Sequence, residues 1–516
     1  MIALKDKICG YYLDFQQEQI VLDDSEQLLV IAGAGSGKTL TILGKINYLI
    51  KYKNVLPEEI LCISFTRASS NSLKEKISSE FGVDIPVFTF HKLSLNILKK
   101  TNLHYDICDS FLLEVVVREF FCTRVVNNLK FANMVLRYFD IYTFFDVKNK
   151  YLKFYSENYL MIKSLEKLVM TFLNLFKCNG YKLEDFSLFL KKARKNILSY
   201  RKEKIFLTIA LNIYLIYEGY LKENGEIDFD DMISKASSVI ENKQVMLNYK
   251  YVIIDEYQDT SYIRFLLIKK IIDNTNSKLM VVGDDFQSIY RFTGCDISLF
   301  LNFNNYFSDA KIMKIENTYR NSSELIKVAG DFVMKNKKQI RKCLKSNKKL
   351  DYPIKIVYYT DRVESFLNLV IEMFQENNAP IMVLGRNNDD INKVIGSNFK
   401  LMQDGKLVCN FNKEINLYYL TVHKSKGLEE ENVIIINMED SLLGFPSKIK
   451  NDKIMRFVTV SDEEYLFGEE RRLFYVALTR TKRFVYIMVP SSKPSIFIKE
   501  LLTKEYLKDK YVEIYN

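Results

Sequence analysis

Residues 28–39 read Leu-Leu-Val-Ile-Ala-Gly-Ala-Gly-Ser-Gly-Lys-Thr, an apolar run that gives way to glycines and then to Lys38-Thr39. Consecutive apolar residues suit a buried strand, and the glycines let the backbone present successive N–H groups to an anion before a helix begins. A loop of this kind cradles phosphates: Ala34, Gly35, Ser36 and Gly37 supply main-chain donors, Lys38 reaches the terminal phosphates and Thr39 holds Mg²⁺. The general pattern opens with glycine where this chain has Ala32, so the reading leans on Gly37-Lys38-Thr39 and on a partner strand. Residues 252–260, Val-Ile-Ile-Asp-Glu-Tyr-Gln-Asp-Thr, supply that partner. A buried-type strand ending in paired carboxylates gives ATP hydrolysis a metal anchor, Asp255, and a general base, Glu256.

Working outward, short β-like runs alternate with helical ones: Leu28 to Ala32, Thr39 to Ile50, Ile60 to Thr66, Ser69 to Phe81 and Val87 to Phe90. This rhythm predicts a parallel sheet covered by helices. From Leu103 to Glu223 apolar residues instead recur every three or four positions, as in Ile107, Phe111, Leu112, Val115, Val116 and Phe120, which predicts an all-helical block. Strand signals resume at Tyr251 to Ile254 and Leu279 to Gly283, so the block interrupts a sheet domain. The expected organisation is a first α/β domain over 1–102 and 224–303, a helical insertion over 103–223, and a second α/β domain over 304–516 that begins with a strand at Ile312 to Ile315.

A chain of 516 residues is too long for one core, and 48% hydrophobic with 27% charged residues describes a folded protein. A net charge of +10 favours a polyanionic partner, with local concentrations at Lys191 to Lys204 and Lys335 to Lys349 that are ordinarily solvated faces. Eight scattered cysteines without a Cys-x-x-Cys pair argue against a zinc ribbon or an iron–sulfur cluster and suit a reducing cytoplasm. Met1 to Asp6 lacks an apolar signal core, and the stretch Ile205 to Tyr217 reads as too short and too polar to span a bilayer. The expectation is a soluble, cytoplasmic chain with no membrane partner.

Further motifs follow in a fixed order: Leu13-Asp14-Phe15-Gln16-Gln17, Phe65-Thr66, Thr89-Phe90-His91, the run Val281 to Gly294 with Gly283-Asp284-Asp285-Phe286-Gln287, Asn317-Thr318-Tyr319-Arg320, Thr421-Val422-His423-Lys424-Ser425-Lys426-Gly427-Leu428-Glu429, and Glu469 to Arg480. Together with the phosphate loop and Asp255-Glu256-Tyr257-Gln258-Asp259, they resemble the UvrD/Rep group of superfamily 1 helicases, the Val281 to Gly294 run in that group's helicase IV flavour. The resemblance implies an α/β fold with two RecA-like P-loop domains and a helical insertion in the first, binding ATP and Mg²⁺ between the two. It implies catalytic roles for Lys38, Asp255, Glu256, Gln287, Arg320 and Arg480. Gln17 would read adenine, Tyr319 would stack on it, Glu429 would lie near the ribose and Gln258 near the γ-phosphate. Phe65, Thr66, Arg67, Thr89, His91, Tyr290, Phe292, Arg386 and His423 would touch DNA. From the residues alone, Phe65 and Phe90 serve equally as core and His91 as a helix cap, Asp230 and Asp231 read as helix-capping acids, and Arg471 and Arg472 read as surface residues.

The implied activity is an ATP-dependent helicase that moves on single-stranded DNA, 3′→5′, and opens tailed duplex. Phe292 stands where many relatives carry Trp, and the chain has no tryptophan; Leu40 stands where relatives often have Arg. Residues 387–416 replace a large inserted domain, and the chain ends soon after Tyr486, so the expectation is a compact motor that relies on a nuclease or repair factor. The rival reading is a DNA-sensing ATPase subunit of a repair or phage-defence complex that barely unwinds.

Overall fold

The computed structural model describes residues 7–101, 105–194, 200–450, 452–459 and 465–515. The expectations for Met1 to Asp6, for the start of the helical block at Leu103 and for residues 195–199 of the first basic run fall outside these. Gln27–Ala32 is buried after its first residue and lies between two parallel neighbours, Lys278–Gly283 and Lys311–Ile315. The sheet continues through Tyr251–Ile254 and Ile60–Ile63 to Val87–Phe88, six strands all parallel. Such sheets are covered on both faces. Leu29 and Ile31 accordingly point into one apolar cluster with Leu61, Ile254 and Val281, while Leu28, Val30 and Ala32 point into the opposite one with Ile42, Ile46 and Ile253. The expected domain boundary at 304 shifts, because Lys311–Ile315 forms the outer strand of this first sheet. Chain order had suggested the second domain; hydrogen bonding decides for the first.

The helical block is made of Leu112–Glu119, Leu129–Tyr138, Val147–Glu157, Tyr159–Cys178, Asp185–Ala193 and Tyr200–Asn224 with shorter turns between them. Its core is dense in rings, with Phe172, Phe176, Phe186, Phe189 and Phe206 all buried. The block is not wholly helical: Asp106–Ile107 and Glu226–Ile227 pair in parallel at its base, where the chain leaves the sheet domain and returns. Tyr200–Asn224 is longer than the apolar stretch suggested and has the length and composition of a membrane span. It lies in the block's core, burying Phe206, Leu207, Ile209, Ala210 and Ile213.

The second sheet has eight strands in the order Phe399–Leu401, Lys406–Cys409, Leu417–Thr421, Ile381–Gly385, Glu430–Ile435, Thr481–Pro490, Ile354–Tyr359 and Val512–Tyr515. It is parallel from Leu417–Thr421 onward, and the first two strands form an antiparallel hairpin on that edge. This hairpin lies within residues 387–416, after the 3₁₀ segment Asn388–Lys393. A clasp joins the second domain to the helical block: Ile454, Met455, Phe457 and Val458 complete the block's core, Phe457 packs 5.6 Å from Phe189, Arg456 pairs with Glu203 at 2.8 Å, and Asn179 Nδ2 donates to Val458 O at 2.7 Å.

Candidate nucleotide and nucleic-acid cleft

The glycine loop leaves Gln27–Ala32 and delivers the chain into the helix Lys38–Lys53. Ala32 is still strand, paired with Ile315, so the missing glycine costs no conformation there. The glycines that matter are Gly35 and Gly37, at φ of 68° and 79°, a region that favours glycine. A Cβ on Gly35 would lie 2.5 Å from Arg320 Cβ, and one on Gly37 would lie 2.7 Å from Gln17 Nε2. The loop is tied directly to the segment leading into the second domain: Thr318 Oγ1 donates to Ala34 O at 2.7 Å and Tyr319 N to Gly35 O at 2.9 Å. Ser36 Oγ is buried without a hydrogen-bond partner in this cradle, and Thr39 is half-buried at the helix start.

Tyr251–Ile254 carries Asp255 and Glu256 to the same end of the sheet. Lys38 Nζ lies 3.0 Å from Glu256 Oε1, and Gln258 Nε2 donates to Glu256 Oε2 at 2.5 Å. Burial works against the Glu256 charge, but Lys38, Lys426 and the Gln258 amide outweigh it and hold the carboxyl below its ordinary range. Asp255 moves the other way, pushed up by burial and by the Glu256 charge beside it. A buried carboxyl raised by a like charge is a natural seat for a cation. Among the described residues no group of three or more His, Cys, Asp or Glu could hold a metal by itself. Mg²⁺ fits such a site, since it binds through one or two carboxylates together with phosphate oxygens and water.

From the other side come Arg320 and Arg480. Arg320 Nε meets Glu429 Oε2 at 2.5 Å and its Nη1 donates to Thr479 O at 3.2 Å. Arg480 is 1% exposed and donates to Val476 O, Leu428 O and, through Nη2 at 3.2 Å, to Gln287 Oε1. Burial and the neighbouring Arg320 push the Arg480 pKa down to about 9, which leaves it charged at neutral pH. Glu429 is thus engaged by Arg320 in this conformation. Gln17 is engaged too: its Nε2 donates to Ser36 O at 3.0 Å and its Oε1 accepts from Asp14 N at 3.0 Å, so the amide expected to read adenine instead braces the phosphate loop and caps a helix. Tyr319 is half exposed, with its hydroxyl donating to Asp14 at 2.6 Å.

An aromatic row runs beside this cleft. Phe65 and Tyr290 stack at 5.8 Å and 10°, Phe292 meets Tyr290 at 6.2 Å and His423 at 5.4 Å, and Tyr290 Oη donates to His423 O at 2.9 Å. Phe292 is 59% exposed and so free to offer a face. Thr66 and Thr89 are the N-caps of the helices Arg67–Phe81 and Phe90–Leu98, accepting from Ser69 N and Lys92 N. The first of these helix starts, with Arg67, is exposed, whereas Thr89 is half-buried. Phe90 is core, and His91 packs edge-on to Phe229 at 5.2 Å and does not cap the helix. Burial, with Arg264 and Arg67 nearby, pushes His91 down to about 4; burial, Arg386 and Lys426 do the same to His423, so both rings are neutral at pH 7. Arg386 is held bidentate by Glu470, its Nη2 donating to Oε1 at 2.7 Å and its Nε to Oε2 at 3.1 Å.

Several residues differ from their sequence expectations. Arg471 and Arg472 are 7% and 3% exposed; Arg471 forks onto Glu500 at 2.9 and 2.6 Å, and Arg472 Nε donates to Ser288 O at 2.6 Å. Asp228, not Asp230, caps the helix Phe229–Glu241, with Asp231 closing the capping box; Asp228 and Asp231 also clamp Lys177 at 2.7 and 2.9 Å. Burial, then the Asp228 charge, pushes Asp230 up to about 7. Two cations went unassigned. Arg264 lies 4.8 Å over Phe65 and 5.7 Å over Phe90, its Nε and Nη1 buried without acceptors. Lys426 contacts Asp259, donates to Gln287 O at 2.7 Å, sits 4.0 Å from Glu256 Oε2 and lies 5.1 Å from the Tyr290 ring centre. Lys426 was legible inside its motif; Arg264 carries no signal in one sequence.

Residues 13–308 match the family model for the UvrD/REP helicase N-terminal domain, and residues 398–492 match that for the UvrD-like helicase C-terminal domain. The chain is 26% identical over 495 residues to DNA helicase IV of Escherichia coli, covering 94% of this chain and 69% of that protein. It is 26% identical over 526 residues to a probable DNA helicase of Mycoplasma pneumoniae, covering 96% and 88%. With ATP-dependent DNA helicase PcrA of Bacillus subtilis the identity is 27% over 358 residues, 67% of this chain and 42% of that protein. The first model spans more than half of the chain and runs through both the glycine loop and the acidic strand, while the second reaches the far arginine: the chain belongs to the UvrD/Rep helicase family, with two RecA-like domains facing each other across the cleft.

Proposed function

We propose that the chain is an ATP-dependent DNA helicase that moves along single-stranded DNA in the 3′→5′ direction and opens the duplex ahead of it, in the cytoplasm. The reading rests above all on Lys426. One ammonium touches Asp259 and the Gln287 carbonyl on the nucleotide side and lies against Tyr290, the ring that stacks on Phe65, on the other. A rearrangement around a γ-phosphate is thereby felt at a base-stacking surface. Such stacking is worth about 1–3 kcal/mol per base and tolerates any sequence, as a translocating motor requires.

ATP fits the cradle because its glycines are the only residues the space and the φ angles accept and because Ser36 Oγ lacks a partner. Thr39 and Asp255 would hold Mg²⁺ together with the phosphates, and the ion would neutralise phosphate charge when bound. Lys38 would exchange Glu256 for phosphate oxygens, which frees the Glu256 carboxylate to take a proton from water. Gln258, already on Glu256, orients that carboxylate, and Arg320 and Arg480 meet the charge that develops on the far side. The 3′→5′ direction is what the family resemblance implies. Tailed duplex is the expected substrate, with a nuclease or repair factor as protein partner.

A second reading, a DNA-sensing ATPase with little unwinding, is favoured by one observation: residues 387–416, where larger relatives carry a whole domain, hold a single 3₁₀ segment, Asn388–Lys393, and a short hairpin. Strand-separation assays on duplexes with a 3′ or a 5′ single-stranded tail, run beside DNA-stimulated ATP hydrolysis, discriminate. Opening of the 3′-tailed duplex alone supports the helicase; robust hydrolysis with neither duplex opened supports the sensor.

A further inference from the structure

Behind the turn that carries Gln287 lies a buried ion group with no role in the chemistry described so far. Lys342 is 5% exposed; its ammonium contacts Asp284 and, at 2.6 Å, Asp285, and lies 3.6 Å from the Phe286 ring centre. Both carboxylates are fully buried. A buried charge group of this kind persists only when hydrogen bonds satisfy it, and here Gln287 Nε2 donates to Asp284 Oδ2 at 2.6 Å while Gln339 Nε2 and Ile340 N donate to Asp285 Oδ2 at 2.7 and 2.9 Å.

The bond to Gln287 has a direction. A carboxylate only accepts, so Asp284 must face the NH₂ end of the Gln287 amide. The carbonyl end is thereby turned to Arg480, whose Nη2 donates to it. The same residue's main chain, Asp284 N, donates at 2.9 Å to Gln258 Oε1, and Gln258 in turn holds Glu256. Lys342 arrives on a segment fastened to both domains. It follows the helix Ser323–Met334, which packs against Gly468–Leu478 of the second domain, and is laid along the outer strand of the first sheet: Lys314 Nζ donates to Arg341 O at 2.8 Å and Lys345 N to Glu316 O at 2.8 Å.

We propose that Lys342 is a positioning residue for ATP hydrolysis: by anchoring Asp284 as an acceptor it fixes the Gln287 amide with its carbonyl toward Arg480, so that the γ-phosphate side of the cleft is assembled only when the segment joining the domains is seated. The inference rests on the proposed helicase reading and on the catalytic role that the family resemblance implies for Gln287. A lysine that only filled space would not care which end of that amide faces the cleft.

The test compares ATP turnover of the full chain, with saturating single-stranded oligonucleotide, in Lys342→Met, Lys342→Arg, Gln287→Ala and the double variant Lys342→Met/Gln287→Ala. Lys342→Met is expected to lower kcat about tenfold with KM for ATP changed less than about twofold, as a misoriented group does. Lys342→Arg should recover most of the loss, and the double variant should be no slower than Gln287→Ala. Wild-type kcat in folded Lys342→Met, or losses that multiply in the double variant, overturns the inference. Wild-type turnover in Gln287→Ala removes the earlier role of Gln287 itself, whereas loss there beside normal turnover in Lys342→Met removes only this proposal. Lys342→Met leaves two buried carboxylates without a cation. If thermal melting shows it unfolded, Lys342→Met/Asp284→Asn/Asp285→Asn, neutral throughout, takes its place; a loss of about tenfold or more supports the inference, and wild-type kcat sinks it.

Discussion

Glu256 has φ of 53°, a left-handed backbone that a glutamate keeps only where its surroundings hold it. The holding groups are Lys38 and Gln258, so strain and charge both converge on the carboxylate proposed as base. Glu256→Gln should lower turnover by about a hundredfold or more while single-stranded DNA binding survives in a filter or anisotropy assay; unchanged hydrolysis in the purified variant would remove the base assignment. Lys38→Ala should likewise abolish hydrolysis without abolishing DNA binding. His91 and His423 make a pH prediction. Their folded pKa values, near 4, lie below the ordinary 6.5, so the unfolded chain takes up protons first and each ring costs stability as pH falls from about 6.5 to about 4. Melting temperatures of His91→Gln and His423→Gln should therefore drop less between pH 7 and pH 5 than that of the wild type; equal drops would show that the rings are not buried neutral. At this scale the sequence was readable where local spacing fixes chemistry, as at Lys38 and Asp255. It was not readable where a partner comes from far along the chain: nothing beside Arg471 and Arg472 announces Glu500 or Ser288, and both side chains look like surface until the fold is seen.

Elements bring their own test. Gly35 links strand to helix at φ of 68°, with Arg320 Cβ and Thr318 Oγ1 where a side chain would go, whereas Gly82, at φ of 65°, ends the helix Arg67–Phe81 in open space. Gly82→Ala should cost about 1 kcal/mol, the strain of the backbone alone, and leave nucleotide binding intact. Gly35→Ala adds a clash with the segment that enters the second domain, and should both melt lower and lose affinity for a fluorescent ATP analogue; normal affinity would mean that the loop has another geometry when occupied. The sheet strands with unbroken apolar runs were legible because a parallel sheet buried on both faces demands them. The strand Lys311–Ile315 was seen but given to the wrong domain, since its exposed, lysine-bearing face fits an edge and a sequence does not say of which sheet. The three-residue and four-residue strands of the hairpin, Phe399–Leu401 and Lys406–Cys409, are too short to show a period.

Over the whole molecule, the second domain is fastened to the first sheet by the segment around Lys342 and by bonds across the cleft such as Arg472 to Ser288, and to the helical block by the clasp that sends Ile454 to Val458 into its core. Phe457→Ala should destabilise by about 3 kcal/mol through the cavity it leaves against Phe189, measured by chemical denaturation, and should separate the melting of the block from that of the second domain in calorimetry. A single unshifted transition would show that the clasp bears no load. The sequence disclosed the two sheet domains and the block between them, but not the clasp, whose apolar residues lie in a stretch without periodicity. The parallel pair Asp106–Ile107 and Glu226–Ile227 brings the block's two ends side by side, so a short glycine bridge could close the gap left by removing it. Such a trimmed motor would be incomplete in an instructive way: its other half would still extend a greasy finger, residues 454–458, toward a pocket that had been cut out, and would tend to aggregate unless that finger were shortened too. Architectures exchanged at this junction must travel as a matched pair, socket with plug.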